Sequence, residues 1–230
     1  MIDRPAQRRV LLWSAITAVL MVVSLFGIFF VAPTDGDQGI IQKIFYFHVA
    51  DAMAALIIFA VAAVSAILYL RTRKERYDEI TTVSIGVGLV YSILVVITGS
   101  IWAKASWGTY WVWNDPRLVT FLILLLLYAS YFVLRSSVEG ERRLRYSAIF
   151  ALIAFASVPL SFYSVRVARS FVHPVVITNS GANMPTSMLV WFLLSMAAFL
   201  ALFVAVLQFE LVQMRVGKAL QKLKLQLEGD

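Results

Sequence analysis

Six stretches of this chain are each long and apolar enough to cross a bilayer, which takes ~20 residues per helix, and no other feature restricts its fold so much. They cover residues 10–32, 47–70, 80–102, 118–134, 146–165 and 188–207. Pro33 closes the first, the run RTRKER at 71–76 ends the second, and Pro159 predicts a kink in the fifth. The first is too long for the apolar core of a signal peptide and lacks a small-x-small exit, so it reads as a retained helix. No stretch alternates with period two, which argues against a membrane β-barrel. The composition agrees: 61% of the 230 residues are hydrophobic and 14% charged, against about 45–50% and about 25% in soluble domains. The expected fold class is an all-α integral membrane protein with six transmembrane helices. The expected division is a membrane domain over 1–207 and an amphipathic helical tail over 208–230, where apolar residues at helical spacing alternate with Lys218, Lys222 and Lys224.

The net charge of +7 sets topology and does not point to nucleic acid. Fifteen of the twenty Lys and Arg residues lie in the two termini and the second and fourth loops; five lie in the other three loops. The positive-inside rule then puts both termini in the cytoplasm and the three longer loops, including a tryptophan-rich one, outside. With no cysteine, disulfides, zinc–thiolate and iron–sulfur sites, thioether attachment of haem and cysteine nucleophiles are excluded. No Walker loop, HExxH, GxGxxG or nucleophile elbow stands in a usable context. Any ATP hydrolysis belongs to another subunit.

The chemically unusual residues map to the outer side. His48, at the start of the second helix, and His173, in the third outer loop, are the only histidines. The second outer loop reads WGTYWVWNDPR from Trp107 to Arg117. Neutral imidazole is a common axial ligand of haem iron. Indole rings supply a flat apolar bed, and arginine matches the carboxylates of propionates. Arg117 ends the stretch, and Lys104, Arg166 and Arg169 are other outer cations. Trp102 reads more simply as an interfacial anchor. Asp51, three residues after His48, has two readings: acceptor for the imidazole's second N–H, or an acid favoured by the dipole of the first helical turn. The turn TDGDQG at 34–39 is an ordinary surface turn and not a calcium loop.

WGTYWVWNDPRLVTFLILLLLYASYFVLR resembles the tryptophan-rich WWD signature of haem-handling membrane proteins. Six spans, a histidine before each of the second and sixth, and the signature before the fourth are together similar to the haem exporter protein C (CcmC) family of cytochrome c maturation. The resemblance covers most of the chain. It implies a b-type haem (haem b) at the periplasmic face of a bacterial inner membrane, with His48 and His173 as axial iron ligands and Trp107, Gly108, Trp111, Trp113, Asp115 and Arg117 as the haem-binding platform. It also implies delivery to the periplasmic haem chaperone CcmE, an ABC module of CcmA and CcmB, and a small subunit, CcmD; the chain is then no enzyme by itself. Asn114 separates Trp113 from Asp115 where the signature has them adjacent, which leaves open whether Asn114 or Asp115 takes the acid's role. Tyr110 replaces a frequent tryptophan, Val49-Ala50-Asp51 replaces the usual Val-Pro after the first histidine, and Val167 and Ala168 replace aromatics before the second. Larger WWD proteins need more histidines or a larger domain.

Two other classes compete on the residues alone. A bis-histidine b-haem electron-transfer subunit with a pair of haems across the bilayer needs four ligands, and this chain has two histidines. A permease should carry ionisable groups at mid-membrane; Asp51, near a helix end, is the notable one.

Overall fold

In the computed structural model, residues 4–168, 170, 173, 177–178, 181–182 and 184–228 are described. Seven helices follow one another: α1 Arg4–Phe30, α2 Ile44–Thr72, α3 Glu75–Trp107, α4 Pro116–Ser137, α5 Gly140–Phe155, α6 Ser157–Val167 and α7 Thr186–Glu228. Six spans are long and apolar enough to cross a membrane, α5 and α6 together supplying the fifth. The all-α expectation therefore holds. The one sheet among the described residues is a two-residue antiparallel pairing of Ile177–Thr178 with Gly181–Ala182.

The expected kink is an irregular turn at Ala156, whose backbone stays in the right-handed helical region while its N–H bonds to the Ile153 carbonyl, three residues back. Pro159 has no N–H to donate, and its ring crowds the carbonyl four residues back, at Phe155. The fifth span is accordingly divided into α5 and α6 at that turn. The other spans are longer than expected, and the ends of α3 and α4 carry acids or caps. Glu75 and Asp78 occupy the first turn of α3, where the helix dipole favours acids. Gly108, at φ 76°, closes α3 in the left-handed conformation that glycine adopts at least cost, and its N–H bonds to the Lys104 carbonyl. Asp115 caps α4, accepting from the N–H groups of Arg117 and Leu118, and Pro116 follows at the first helical position.

Helix α2 packs against α3, α5 and α7, α1 pairs with α7, and α4 lies on α5 and α6. Small side chains let these backbones approach, the device that replaces hydrophobic driving force within lipid. Ala50, Ala54, Ala55, Ala62, Ala63 and Ala66 are buried along α2. Gly88 leaves room for Phe59, whose ring stacks on Tyr128 at 3.7 Å. Gly27 does the same for Trp191, beside a Ser24–Ser195 hydroxyl contact of 2.7 Å between α1 and α7.

The connections α2–α3 and α4–α5 are two-residue turns at one end of the bundle, while the three long ones gather at the other. At the short-turn end Arg135 binds Asp78 through two nitrogens, at 2.9 and 2.6 Å. Lys218, on the extension of α7, bridges Glu75 and Glu79 on α3 at 2.8 and 2.7 Å. The tail expected over 208–230 thus continues α7 without a break as far as Glu228. At the long-loop end the buried Lys43 donates to the Ile28 and Ala32 carbonyls at 2.5 and 3.2 Å, where a cation answers the dipole at the close of α1. The 34–39 turn is held by Asp35 Oδ1, which accepts from the Asp37 and Gln38 N–H groups. That is an Asx turn.

Candidate functional site

The three long connections enclose a cavity of about 330 Å³, within the usual range of ligand pockets, about 300–1,000 Å³. His48 from α2, Trp102 and Trp107 from α3, Trp111 from the following loop, Arg117 from α4, Arg166 from α6 and His173 from the loop before α7 all line it. The two histidines and three of the clustered tryptophans therefore meet, although they come from different elements.

His48 is held from the side of α3. A Cβ on Gly99 would lie 2.7 Å from His48 Cε1, so the ring seats against bare backbone. His48 Nδ1 lies 3.1 Å from Thr98 Oγ1. The Trp102 ring meets the imidazole edge-on at 5.7 Å, and its indole N–H donates to Gln38 Oε1 at 3.0 Å. Trp102 is thus a wall of the cavity beside His48 and more than an interfacial anchor. Asp51 fits neither expectation. The imidazole's partner is Thr98, and the Asp51 carboxylate is buried two turns into α2 with Oδ1 unpartnered among the described residues.

His173 is held by Asp115. Its Nδ1 lies 3.1 Å from Asp115 Oδ1, close in distance but without the alignment of a full hydrogen bond. Ser170 Oγ donates to Asp115 Oδ2 and accepts the His173 backbone N–H at 2.8 Å. Trp107 meets the His173 ring edge-on at 5.2 Å. One carboxylate thereby starts α4 and fastens the loop that carries the second histidine. Burial opposes the charge on Asp115, but the Ser170 hydroxyl, His173 and the Leu118 N–H together hold its carboxyl below the usual range. Burial pushes the His173 imidazole below its ordinary value; Asp115 partly offsets this and Arg117 adds to it. At neutral pH the ring is uncharged, the form that binds a metal.

The remaining signature residues divide by position. Trp111 lines the cavity, and its buried Nε1 has no partner among the described residues. Trp113 packs edge-on against Trp111 at 5.8 Å but is 74% exposed and outside the cavity lining. Gly108 and Asp115 also lie outside the lining, one closing α3 and the other opening α4. Arg117 reaches the Phe162 carbonyl at 3.4 Å, and its buried Nε is unpartnered. Arg166 lies over Phe162 and Tyr163 at 4.8 and 5.2 Å. Lys104 is turned to other work: its ammonium donates to the Gly108 carbonyl at 2.9 Å and sits over Tyr110. Arg169 lies outside the described residues. Sequence reasoning missed Thr98, Gly99 and Ser170. Thr98 stands one turn before Trp102 on the face that meets His48, and that spacing is the signal that would have found it.

The arrangement suits a flat, apolar, anionic metal complex. Two imidazoles border the space, indole walls stand beside it, and the buried Arg117 Nε and Trp111 Nε1 have no acceptor among the described residues. Among the described residues no three His, Asp or Glu side chains converge to hold a bare metal ion.

The sequence matches the family model described as heme exporter protein C over residues 3–226. It is 31% identical over 215 residues to heme exporter protein C of Bradyrhizobium diazoefficiens, covering 90% of this chain and 81% of that protein. It is 35% identical over 158 residues to heme exporter protein C of Escherichia coli K12, covering 67% and 63%. A ccmC-like mitochondrial protein of cytochrome c biosynthesis from Marchantia polymorpha is 31% identical over 184 residues, covering 80% and 76%.

Proposed function

Because the chain belongs to the haem exporter protein C family, we propose that it handles haem for cytochrome c biogenesis, holding b-type haem at the long-loop end of its bundle. The observation that carries this reading is the meeting of His48 and His173 with Trp102, Trp107 and Trp111 around one cavity. His48 and His173 are the axial ligands. Trp107 and Trp111 bear on the porphyrin, while Trp113, Gly108 and Asp115 shape the loop that carries them. Arg117 and Arg166 take the propionates, for which a guanidinium is the best-matched partner.

That end faces the periplasmic side of a bacterial inner membrane, with both termini in the cytoplasm, a reading supported by the excess of Lys and Arg in the termini and short loops. Haem is cargo here and the protein is not itself an enzyme. It presents haem to the chaperone CcmE, beside CcmA and CcmB as the ABC module and CcmD as a small subunit. The exposed Trp113 and Tyr110 stand where a periplasmic partner would first touch the site.

Co-expression with the chaperone tests this. The expected result is a Soret band in the purified protein and a haem adduct on the chaperone that disappears in a His48→Ala/His173→Ala double variant. A haem-bearing protein that forms no adduct in any partner combination would return the reading to electron transfer.

A further inference from the structure

His48 Nδ1 faces Thr98 Oγ1 at 3.1 Å, a contact in which either atom could donate. The Thr98 hydroxyl proton is already committed. Oγ1 donates to the Leu94 carbonyl at 2.7 Å, with the Val95 carbonyl at 3.4 Å. A hydroxyl has one proton and two lone pairs, so what Thr98 offers the imidazole is an acceptor. The nitrogen facing α3 must carry the proton, and the lone pair is left on Nε2. That nitrogen makes no hydrogen bond among the described residues, on a ring that borders the cavity. Gly99 makes the approach possible, since any side chain there would push the ring off Thr98.

We infer that Thr98 is a positioning residue that fixes His48 as its Nδ1–H tautomer and so presents the Nε2 lone pair to the cargo metal. This rests on the reading of His48 as an axial ligand. It goes beyond that reading in assigning the neighbour that makes the ligand competent. A hydroxyl on the adjacent helix does for His48 what Asp115 does for His173, without adding a charge to the apolar interior.

The test starts on the haem-free protein in detergent, with nitrogen-15-labelled histidine. Two histidines give two sets of ring signals, separated by a His173→Gln variant. The expected result is a protonated Nδ1 and a bare Nε2 for His48 in the wild type, and a mixture of tautomers in Thr98→Val. Haem-loaded Thr98→Val should shift toward a five-coordinate, high-spin spectrum, release haem at least about tenfold faster, and regain the low-spin spectrum on adding imidazole. Thr98→Ser, which keeps the hydroxyl, should match the wild type throughout. A wild-type His48 protonated at Nε2 overturns the inference without any variant. So does a low-spin Thr98→Val with normal haem retention while His48→Ala is high-spin, and that outcome leaves the ligand reading standing. A low-spin spectrum unchanged in His48→Ala removes the ligand reading itself.

Discussion

Asp115 and His173 stand 3.1 Å apart, Oδ1 to Nδ1, and the same carboxylate caps α4. The start of one helix and the placement of one candidate ligand therefore depend on a single side chain. Those two duties separate by substitution. Asn is as good an N-cap as Asp, whereas Ala costs about 0.5–2 kcal/mol. Asp115→Asn should melt close to the wild type, yet bind haem about 10–100-fold more weakly, because the imidazole loses its anionic partner. Asp115→Ala should lose both stability and haem. Melting in detergent and haem titration distinguish the two, and wild-type haem affinity in Asp115→Asn would contradict the role given to the charge.

Acid should loosen the haem-free protein in two stages. The folded His173 imidazole titrates below its ordinary value, near 6.5. Between those values the unfolded chain binds a proton that the folded chain does not, so stability falls as pH drops below about 6.5. The Asp115 carboxyl is held low in the fold. Its contribution is present above its ordinary value, about 3.9, and is lost further into acid as it protonates. Melting temperature against pH should decline through both ranges, and His173→Gln should make the upper decline shallower and leave the lower one. An upper decline unaltered in that variant would exclude His173 as its source.

Arg117 should matter for the cargo's carboxylates and little for the fold. Its Nε is buried without a partner among the described residues, and its hydrogen bond to the Phe162 carbonyl is long, at 3.4 Å. Arg117→Leu should retain or gain stability, since a poorly partnered buried cation is costly. It should nevertheless bind haem about 10–150-fold more weakly, in line with a lost charge-assisted hydrogen bond of about 1.5–3 kcal/mol. With haem whose propionates are esterified, wild type and variant should bind alike. A persistent difference on the ester would show that Arg117 acts through packing.

Two substitutions far from the cavity should damage the bundle and spare the haem spectrum. A Cβ at Gly88 would come within 2.5 Å of Phe59 Cε1, so Gly88→Ala should cost about 1–3 kcal/mol by overpacking. Asp78→Asn leaves the Arg135 guanidinium without its anion and should cost about 3 kcal/mol. Both are read by unfolding in detergent, with the spectrum of the haem-loaded protein as control. A changed spectrum in either would mean that the two ends of the bundle communicate.

The spans were legible because lipid leaves a chain few ways to satisfy its backbone. Pro159 likewise marked the interruption of the fifth. Helix ends were less so. Gly108 and Asp115 carry them beyond the apolar runs, and capping depends on backbone geometry that hydropathy does not see. The two histidines and the tryptophan loop could be grouped by side, from charge alone. Their neighbours could not. Of Asn114 and Asp115, which the letters alone could not rank, Asp115 is the one that reaches His173. Trp102 and Trp113 look interchangeable as letters, yet one walls the cavity and the other points to solvent. Asp51 shares a helix with His48, but Thr98, from another helix, is the residue the imidazole meets. Proximity along one helix is weaker than packing between two.

The histidines ride on supports of unequal stiffness. His48 is embedded in α2 and pressed against the bare backbone of Gly99, so it cannot withdraw unless α2 and α3 part. His173 belongs to no helix and is fastened through Asp115 and Ser170. The cavity is therefore a vice with one jaw set into a helix and the other pinned by side chains. Among the described residues, the pins on His173 are its contacts with Asp115 and Ser170, and no helix–helix packing holds that ring.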